Sequence, residues 1–166
     1  MDIEQLKELN SDDGKSLADH VALMIGSVGE NASLKRALCL RTDPESGIHV
    51  FSYSHPPSFE AGAVQLGRLG GLVAIKRTEE KPVDLEDVGR KICQHVVGMK
   101  PQKIGTVDDK PAEDVEQETC LIYQEYLPDD SVTVGEILSE NGIEVIGFER
   151  FECGETNPTE TLETCQ

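Results

Sequence analysis

Aromatic side chains are scarce in this sequence, which contains no tryptophan and has only 4% aromatic residues in a length of 166. Hydrophobic residues of all kinds make up 37%, a share that argues against an intrinsically disordered chain. A chain of this length accommodates one ordinary domain, or one compact domain with part of another. The composition therefore predicts a modest core built from aliphatic side chains.

Positive charge is almost missing from the last third of the chain. From Asp108 onward there are 17 acidic residues and only two basic ones, Lys110 and Arg150, so this part carries −15 of the total net charge of −17. Because nucleic-acid affinity depends on Lys and Arg displacing counterions from phosphates, the balance argues against direct binding of RNA or DNA. Simple solubility explains such a surface, and so does a basic protein partner.

Disulfide and membrane signals are lacking too. The cysteines are odd in number, widely spaced and without a CxxC pair, which favours free thiols in a reducing compartment; they are Cys39, Cys93, Cys120, Cys153 and Cys165. The longest uncharged apolar run, residues 70–75, is far too short to span a bilayer. The first four residues include two acids, whereas a mitochondrial transit peptide is rich in arginine, so we expect no transit peptide in this sequence.

Motifs for catalysis, metal binding and nucleotide binding are absent from the sequence. It contains no GxxxxGK[ST], no GxGxxG, no HExxH and no GxSxG pattern. The histidines have no cysteine in metal-ligand register; they are His20, His49, His55 and His95. We therefore predict no cofactor, no metal and no bound nucleotide of its own.

Hydrophobic spacing predicts the order helix, three strands, helix, linker, helix, strand. Capping residues predict helices after Ser16, Asp84 and Thr133, and Gly29 is placed to end the first of these. Alternating residues predict strands at 34–41, 48–54, 71–77 and 143–153, the first two joined as a hairpin, and residues 120–126 as a short extended segment. We therefore predict an α+β fold with a small, mostly antiparallel sheet and helices packed on one face.

Composition also predicts how the chain is divided. Residues 1–31 are expected to be a remnant helical segment of a preceding subdomain, and residues 32–155 an α+β core. An acidic linker is expected within the core at residues 101–118, and a disordered acidic tail at residues 156–166.

Six short segments, in order along most of the chain, resemble the elongation factor Ts family. Residues 28–31 (Val-Gly-Glu-Asn), 52–55 (Ser-Tyr-Ser-His), 71–74 (Gly-Leu-Val-Ala) and 131–135 (Ser-Val-Thr-Val-Gly) are similar to motifs of the whole family. Residues 94–99 (Gln-His-Val-Val-Gly-Met) and 150–155 (Arg-Phe-Glu-Cys-Gly-Glu) resemble its mitochondrial branch in animals. The chain is thus similar to the C-terminal portion of such a factor, with a fold like the family's dimerisation domain.

The resemblance implies a protein that binds mitochondrial elongation factor Tu in the mitochondrial matrix and promotes exchange of GDP for GTP. Such a factor acts by non-covalent binding and not as an enzyme. His55 matches the family histidine that contacts the partner near its nucleotide domain, and Val28 with Gly29 matches an apolar-glycine pair that packs on a partner helix. From the residues alone, Gly29 is equally explained as a helix-ending glycine, Val28 as core, and His55 as an exposed histidine before a loop.

The sequence also departs from the family pattern. Nothing in it matches the N-terminal three-helix module or the Thr-Asp-Phe-Val motif, and Pro56 follows His55 where family members have glycine. Two alternatives therefore stay open. One is a GTPase-binding module without exchange activity, and the other is a small α+β enzyme that uses His55 or a cysteine.

Overall fold

The computed structural model of the chain describes residues 3–56 and 64–155, and the predicted disordered tail lies outside them. The described residues fall into two compact units, residues 3–40 and residues 41–155. The helices are α1 (Ile3–Glu8), α2 (Leu17–Val28), α3 (Leu85–Met99) and α4 (Val134–Glu140). The strands are β1 (Ile48–His55), β2 (Leu69–Arg77), β3 (Glu125–Tyr126), β4 (Asp129–Thr133) and β5 (Ile143–Glu152). This arrangement confirms the predicted α+β class; no helix within the described ranges is long and apolar enough to cross a membrane.

The first unit consists of α1, α2 and the chain that follows. Helix α2 begins as predicted, because the Ser16 hydroxyl accepts from the Asp19 backbone N–H while the Asp19 carboxylate accepts from the Ser16 backbone N–H. It ends at Gly29, which has φ 78° and donates its N–H to the Ile25 carbonyl. None of the α2 side chains is buried, although most of them are apolar.

The second unit is organised around a three-stranded antiparallel sheet in the order β1-β2-β5. The central strand β2 pairs Val73 with Phe51 of β1 and with Phe148 of β5. A β-bulge interrupts the β2–β5 ladder between Ala74 and Ile75. Strands β3 and β4 form a separate two-stranded sheet.

The predicted strand at 34–41 is wrong. The structure assigns no strand between α2 and a short 3₁₀ turn at Pro44–Ser46, and β1 pairs with β2 instead of with residues 34–41. The alternation that motivated the prediction is visible as partial burial of Leu34 and Arg36. Partial burial at alternate positions is not sufficient for a strand, because a strand also needs a hydrogen-bonded neighbour in register.

The core lies between α3 and one face of the sheet. Side chains buried there include Val73 and Ile75 from β2 and Ile92 and Val96 from α3, all with no exposed area. Helix α3 approaches β1 at Gly89, where a built Cβ would lie 2.4 Å from the Phe51 ring. Only glycine permits this approach, so the spacing of α3 over β1 depends on the absence of a side chain at position 89.

The segment predicted as an acidic linker, residues 101–118, is held by hydrogen bonds to two carboxylates. Asp109 accepts from the backbone N–H and the hydroxyl of Thr106, and it forms an ion pair with Lys103. Glu118 is 8% exposed and accepts from the backbone N–H groups of Ala112 and Cys120. The expectation of an extended segment at 120–126 is wrong in its middle, because Leu121–Tyr123 forms a 3₁₀ turn.

A buried hydrogen-bond network joins α3 to the chain around β3. His95 has no exposed area; its Nε2 lies 2.9 Å from Oε1 of Gln124, and its Nδ1 accepts the backbone N–H of Leu127. The Nε2 position therefore carries the proton. The Gln124 amide donates to the carbonyls of Glu118 and Met99, so every polar atom in this network is satisfied.

Replacing Gly89 by alanine is expected to destabilise the second unit by about 1–3 kcal/mol, because the new methyl group overlaps the Phe51 ring. The overlap outweighs the gain in helix propensity of up to about 1 kcal/mol. Chemical unfolding followed by circular dichroism measures the change. The matched control is Gly98→Ala in the same helix, where the methyl meets only a Leu127 side-chain atom at 3.4 Å. Equal stability of the two variants would show that α3 and β1 can separate without cost.

Stability is expected to fall as the pH is lowered from about 7 to 5.5, because burial lowers the pKa of His95 from its ordinary 6.5. Below the ordinary pKa of 6.5, residue 95 binds a proton in the unfolded chain but not in the folded chain. The free energy of unfolding therefore falls with pH, with a limiting slope of about 1.4 kcal/mol per pH unit. His95→Gln should remove this dependence and reduce stability by about 1–3 kcal/mol at pH 7.5. Urea unfolding at several pH values tests it. His49→Gln, at an exposed site, is the control and should keep the pH dependence.

Candidate partner-binding site

His55 is the last residue of β1 and is exposed. Its Nδ1 lies 3.3 Å from the Tyr53 hydroxyl, since residues 53 and 55 share one face of the strand. The returning chain comes close at Gly67, where a built Cβ would lie 2.8 Å from the His55 backbone nitrogen. The strand, the Tyr53 hydroxyl and the close approach of residue 67 together fix where the His55 ring stands.

The His55 ring borders an open pocket of about 450 Å³, called here the His55 pocket. Its other walls come from β2, the C-terminal end of α3, Leu127 and β5; the lining residues are Tyr53, His55, Leu69, Gln94, Val97, Gly98, Lys100, Leu127, Arg150 and Glu152. The pocket therefore combines an apolar wall with a few polar groups, as binding sites for other molecules commonly do.

The charged residues of the His55 pocket are paired with one another. Arg150 donates from Nη2 to Glu152 at 2.9 Å and from Nε to the Val97 carbonyl at 3.1 Å. Hydrogen bonding from Arg150, together with the nearby charge of Lys100, holds the pKa of Glu152 below its ordinary value. Glu152 is thus ionised at neutral pH, and its hydrogen bond with Arg150 holds both side chains in the wall of the His55 pocket.

Val28 and Gly29 lie in the first unit, whereas His55 lies in the second. Val28 is 64% exposed, so its interpretation as a core residue is wrong. Met24, one helical turn earlier on the same face, is 47% exposed. The two side chains leave an apolar strip at the C-terminal end of α2, next to the helix-ending glycine.

Arg150 and Glu152 were not predicted at the site of His55. These two residues are nearly a hundred positions further along the chain, and β2 lies between β1 and β5. One signal was available, because Arg150 is one of only two basic residues after Asp108. An isolated arginine in a strongly acidic segment has many possible carboxylate partners, so the sequence alone does not identify which one it contacts.

The cysteines and His55 do not form a nucleophile–base pair in the part of the chain that the structure describes. Burial raises the pKa of the Cys93 thiol to about 12 and also raises that of Cys120, so both are thiols at neutral pH. Cys39 and Cys153 are exposed. His55 contacts the Tyr53 hydroxyl and borders an open pocket, an arrangement that offers no activated nucleophile.

Ser11, Asp13 and His20 come together in the first unit in a way that resembles a catalytic triad only in composition. The Ser11 hydroxyl and the Asp13 carboxylate both contact the same ring nitrogen, Nε2, at 2.8 and 3.1 Å. In a triad the serine and the carboxylate contact opposite nitrogens, so the carboxylate orients the ring while the other nitrogen accepts the serine proton. These side chains instead close the turn before α2, where the Ser11 backbone N–H donates to the Lys15 carbonyl.

Across residues 3–56 and 64–155, no group of three His, Cys, Asp or Glu side chains is placed to hold a metal ion.

Comparison with known proteins gives a consistent result. The family model for elongation factor TS matches residues 1–118 and 111–155. Mitochondrial elongation factor Ts of Aedes aegypti is 54% identical over 156 residues, which cover 92% of this chain and 50% of that protein. The Drosophila melanogaster protein of the same name is 44% identical, covering 93% of this chain and 49% of its own length. The human one is 45% identical over 84% of this chain and 42% of its own length.

This chain therefore spans about half the length of the relatives that it matches. The family model nevertheless matches residues that include His55, the ends of α2 and α3, and the five strands that the structure describes, and these relatives cover 84–93% of the chain. On this basis the chain belongs to the elongation factor Ts family.

Proposed function

We propose that this chain is a partner-binding core of a mitochondrial exchange factor, which binds elongation factor Tu in the mitochondrial matrix and promotes the exchange of GDP for GTP during protein synthesis. Family membership over most of the chain is the observation that carries the proposal. The names of the relatives, mitochondrial elongation factor Ts, support the mitochondrial setting.

Exchange by binding requires a difference in affinity. A protein that binds the nucleotide-free form of a GTPase more tightly than its GDP-bound form shifts the population towards the free form, and GDP leaves. By the same linkage, GDP weakens the binding of the factor by the same ratio. No covalent step is needed, so the residues of interest are those that contact the partner.

His55 is proposed to contact the partner through its ring. The Tyr53 hydroxyl restrains Nδ1, so we assign Nε2 as the atom that meets the partner. The pocket beside it presents the paired side chains of Arg150 and Glu152 together with the apolar wall of Val97 and Leu127. A partner side chain entering this pocket would bury apolar area and find fixed hydrogen-bonding groups at the same time.

Val28 and Gly29 are proposed as a second contact. Exposure of Val28 and Met24 leaves apolar area available at the end of α2. Gly29 adds no side chain there, and a Cβ built on it would meet nothing within 4 Å. A helix of the partner can therefore approach this end of α2 closely.

Replacing His55 by alanine is expected to weaken binding to mitochondrial elongation factor Tu by about fivefold to tenfold. Stability should change by less than about 0.5 kcal/mol, because His55 is exposed. Calorimetric titration measures the affinity, and release of labelled GDP from the partner measures the exchange. His49→Ala is the matched control, since His49 is an exposed histidine on the same face of β1.

The titration and the GDP-release measurement together separate the exchange factor from a binding module without exchange activity. Binding with faster GDP release supports the exchange factor, and binding without acceleration supports a binding module that lacks exchange activity. An equal loss of affinity in the His49 and His55 variants would remove His55 from the contact. Absence of any binding by the unmodified chain would overturn the proposal for this chain.

Val28→Glu is expected to weaken binding to the same partner by about tenfold or more, because a buried contact would then contain an unpaired carboxylate. Surface plasmon resonance with immobilised elongation factor Tu checks this. Val115→Glu is the control, because Val115 is a similarly exposed valine at 53% in the second unit. If both variants weaken binding equally, added negative charge is the cause and α2 is not a contact.

A further inference from the structure

A second, larger groove lies in the second unit, away from His55. Its volume is about 540 Å³, and it shares no lining residue with the His55 pocket. The floor and walls are formed mainly by apolar side chains and two glycines, namely Ile104, Gly105, Ile122, Gly135, Leu138 and Val145. A Cβ built on Gly135 would lie 2.8 Å from the Ile122 carbonyl oxygen, so the backbone of α4 lies directly against the backbone of the 3₁₀ turn Leu121–Tyr123.

One rim of this groove presents an exposed apolar side chain on a hydrogen-bonded turn. Val107 is 91% exposed. It sits within a tight turn in which the Asp109 backbone N–H donates to the Thr106 carbonyl, and the Asp109 carboxylate accepts from the Thr106 N–H and hydroxyl. The Tyr123 hydroxyl also donates to the Thr106 carbonyl. A single exposed valine needs no explanation, but a valine held at the edge of an apolar groove extends that groove into a larger apolar surface.

The surroundings of the groove are strongly negative. Residues 104–145 contain 12 acidic residues and one lysine. The groove itself is lined by the carboxylates of Glu136 and Glu144 and by no basic residue. Three basic residues of the second unit have acidic partners: Lys76 lies opposite Glu144 in the sheet, Lys81 pairs with Glu79, and Lys103 pairs with Asp109.

From this combination we infer that the groove, here called the α4 groove, docks an apolar side chain carried by a basic segment of a partner protein. The apolar lining supplies contact area, and the surrounding carboxylates attract flanking Lys or Arg side chains. A second copy of this chain fits poorly, because its own net charge of −17 makes two copies repel. Nucleic acid is disfavoured by the same charge. The inference does not depend on the proposed function.

The test uses the whole chain with isotope-labelled methyl groups and a short synthetic peptide that has a central run of leucines flanked by lysines. Saturable shifts are expected at the methyl groups of Ile104, Ile122, Leu138 and Val145. Two control peptides replace either the lysines by glutamates or the leucines by serines, and both should bind at least about fivefold more weakly.

Two pairs of variants locate the binding. Val107→Ser should weaken it about threefold to fivefold, whereas Val115→Ser should leave it within about twofold. Glu144→Gln should weaken it about twofold to threefold, whereas Glu140→Gln, also exposed but not lining the groove, should not. Thermal unfolding verifies that each variant is folded.

Several results would overturn the inference. Shifts spread along the acidic segment instead of the groove would mean a general charge attraction. Binding of the serine control peptide as tightly as the leucine peptide would also indicate a general charge attraction. Matching effects within either pair of variants would remove the groove as the site, and concentration-dependent self-association seen by sedimentation would make a second copy the occupant.

Discussion

The second unit depends on the buried side chain of His95. This ring holds the C-terminal part of α3 to the chain around β3, because one ring nitrogen meets Gln124 and the other accepts the backbone N–H of Leu127. The Gln124 amide in turn holds the end of α3 and the residues before the 3₁₀ turn. A neutral, fully satisfied histidine performs this task without the large desolvation penalty of a buried charge.

Both candidate binding surfaces of this unit border elements that the His95 network joins. The His55 pocket uses the end of α3 and Leu127, while the α4 groove uses the 3₁₀ turn Leu121–Tyr123 and α4. The two surfaces differ in their electrostatics. The pocket contains the fixed pair Arg150 and Glu152, whereas the groove is lined by carboxylates without a basic residue. One small unit thus presents two surfaces that differ in their charged lining.

The position of Tyr53 beside His55 was predictable from the sequence, whereas the position of Arg150 was not. Alternation along β1 placed Tyr53 and His55 on one face, and the structure brings these two side chains into contact. That His55 and Arg150 line the same pocket was not predictable. It depends on β2 lying between β1 and β5, and strand order is set by packing over the whole sheet and not by local residue preference.

The sequence by itself determined the helix ends, because capping involves only neighbouring residues: Ser16 with Asp19, and Thr133 with Glu136, form the capping boxes that their spacing predicts. It also determined the acidic character of the C-terminal part and the family. Only the tertiary structure decided that residues 34–41 are not a strand and that Val28 is exposed. Strand pairing and burial both depend on which distant residues come near, and this information is absent from a local pattern.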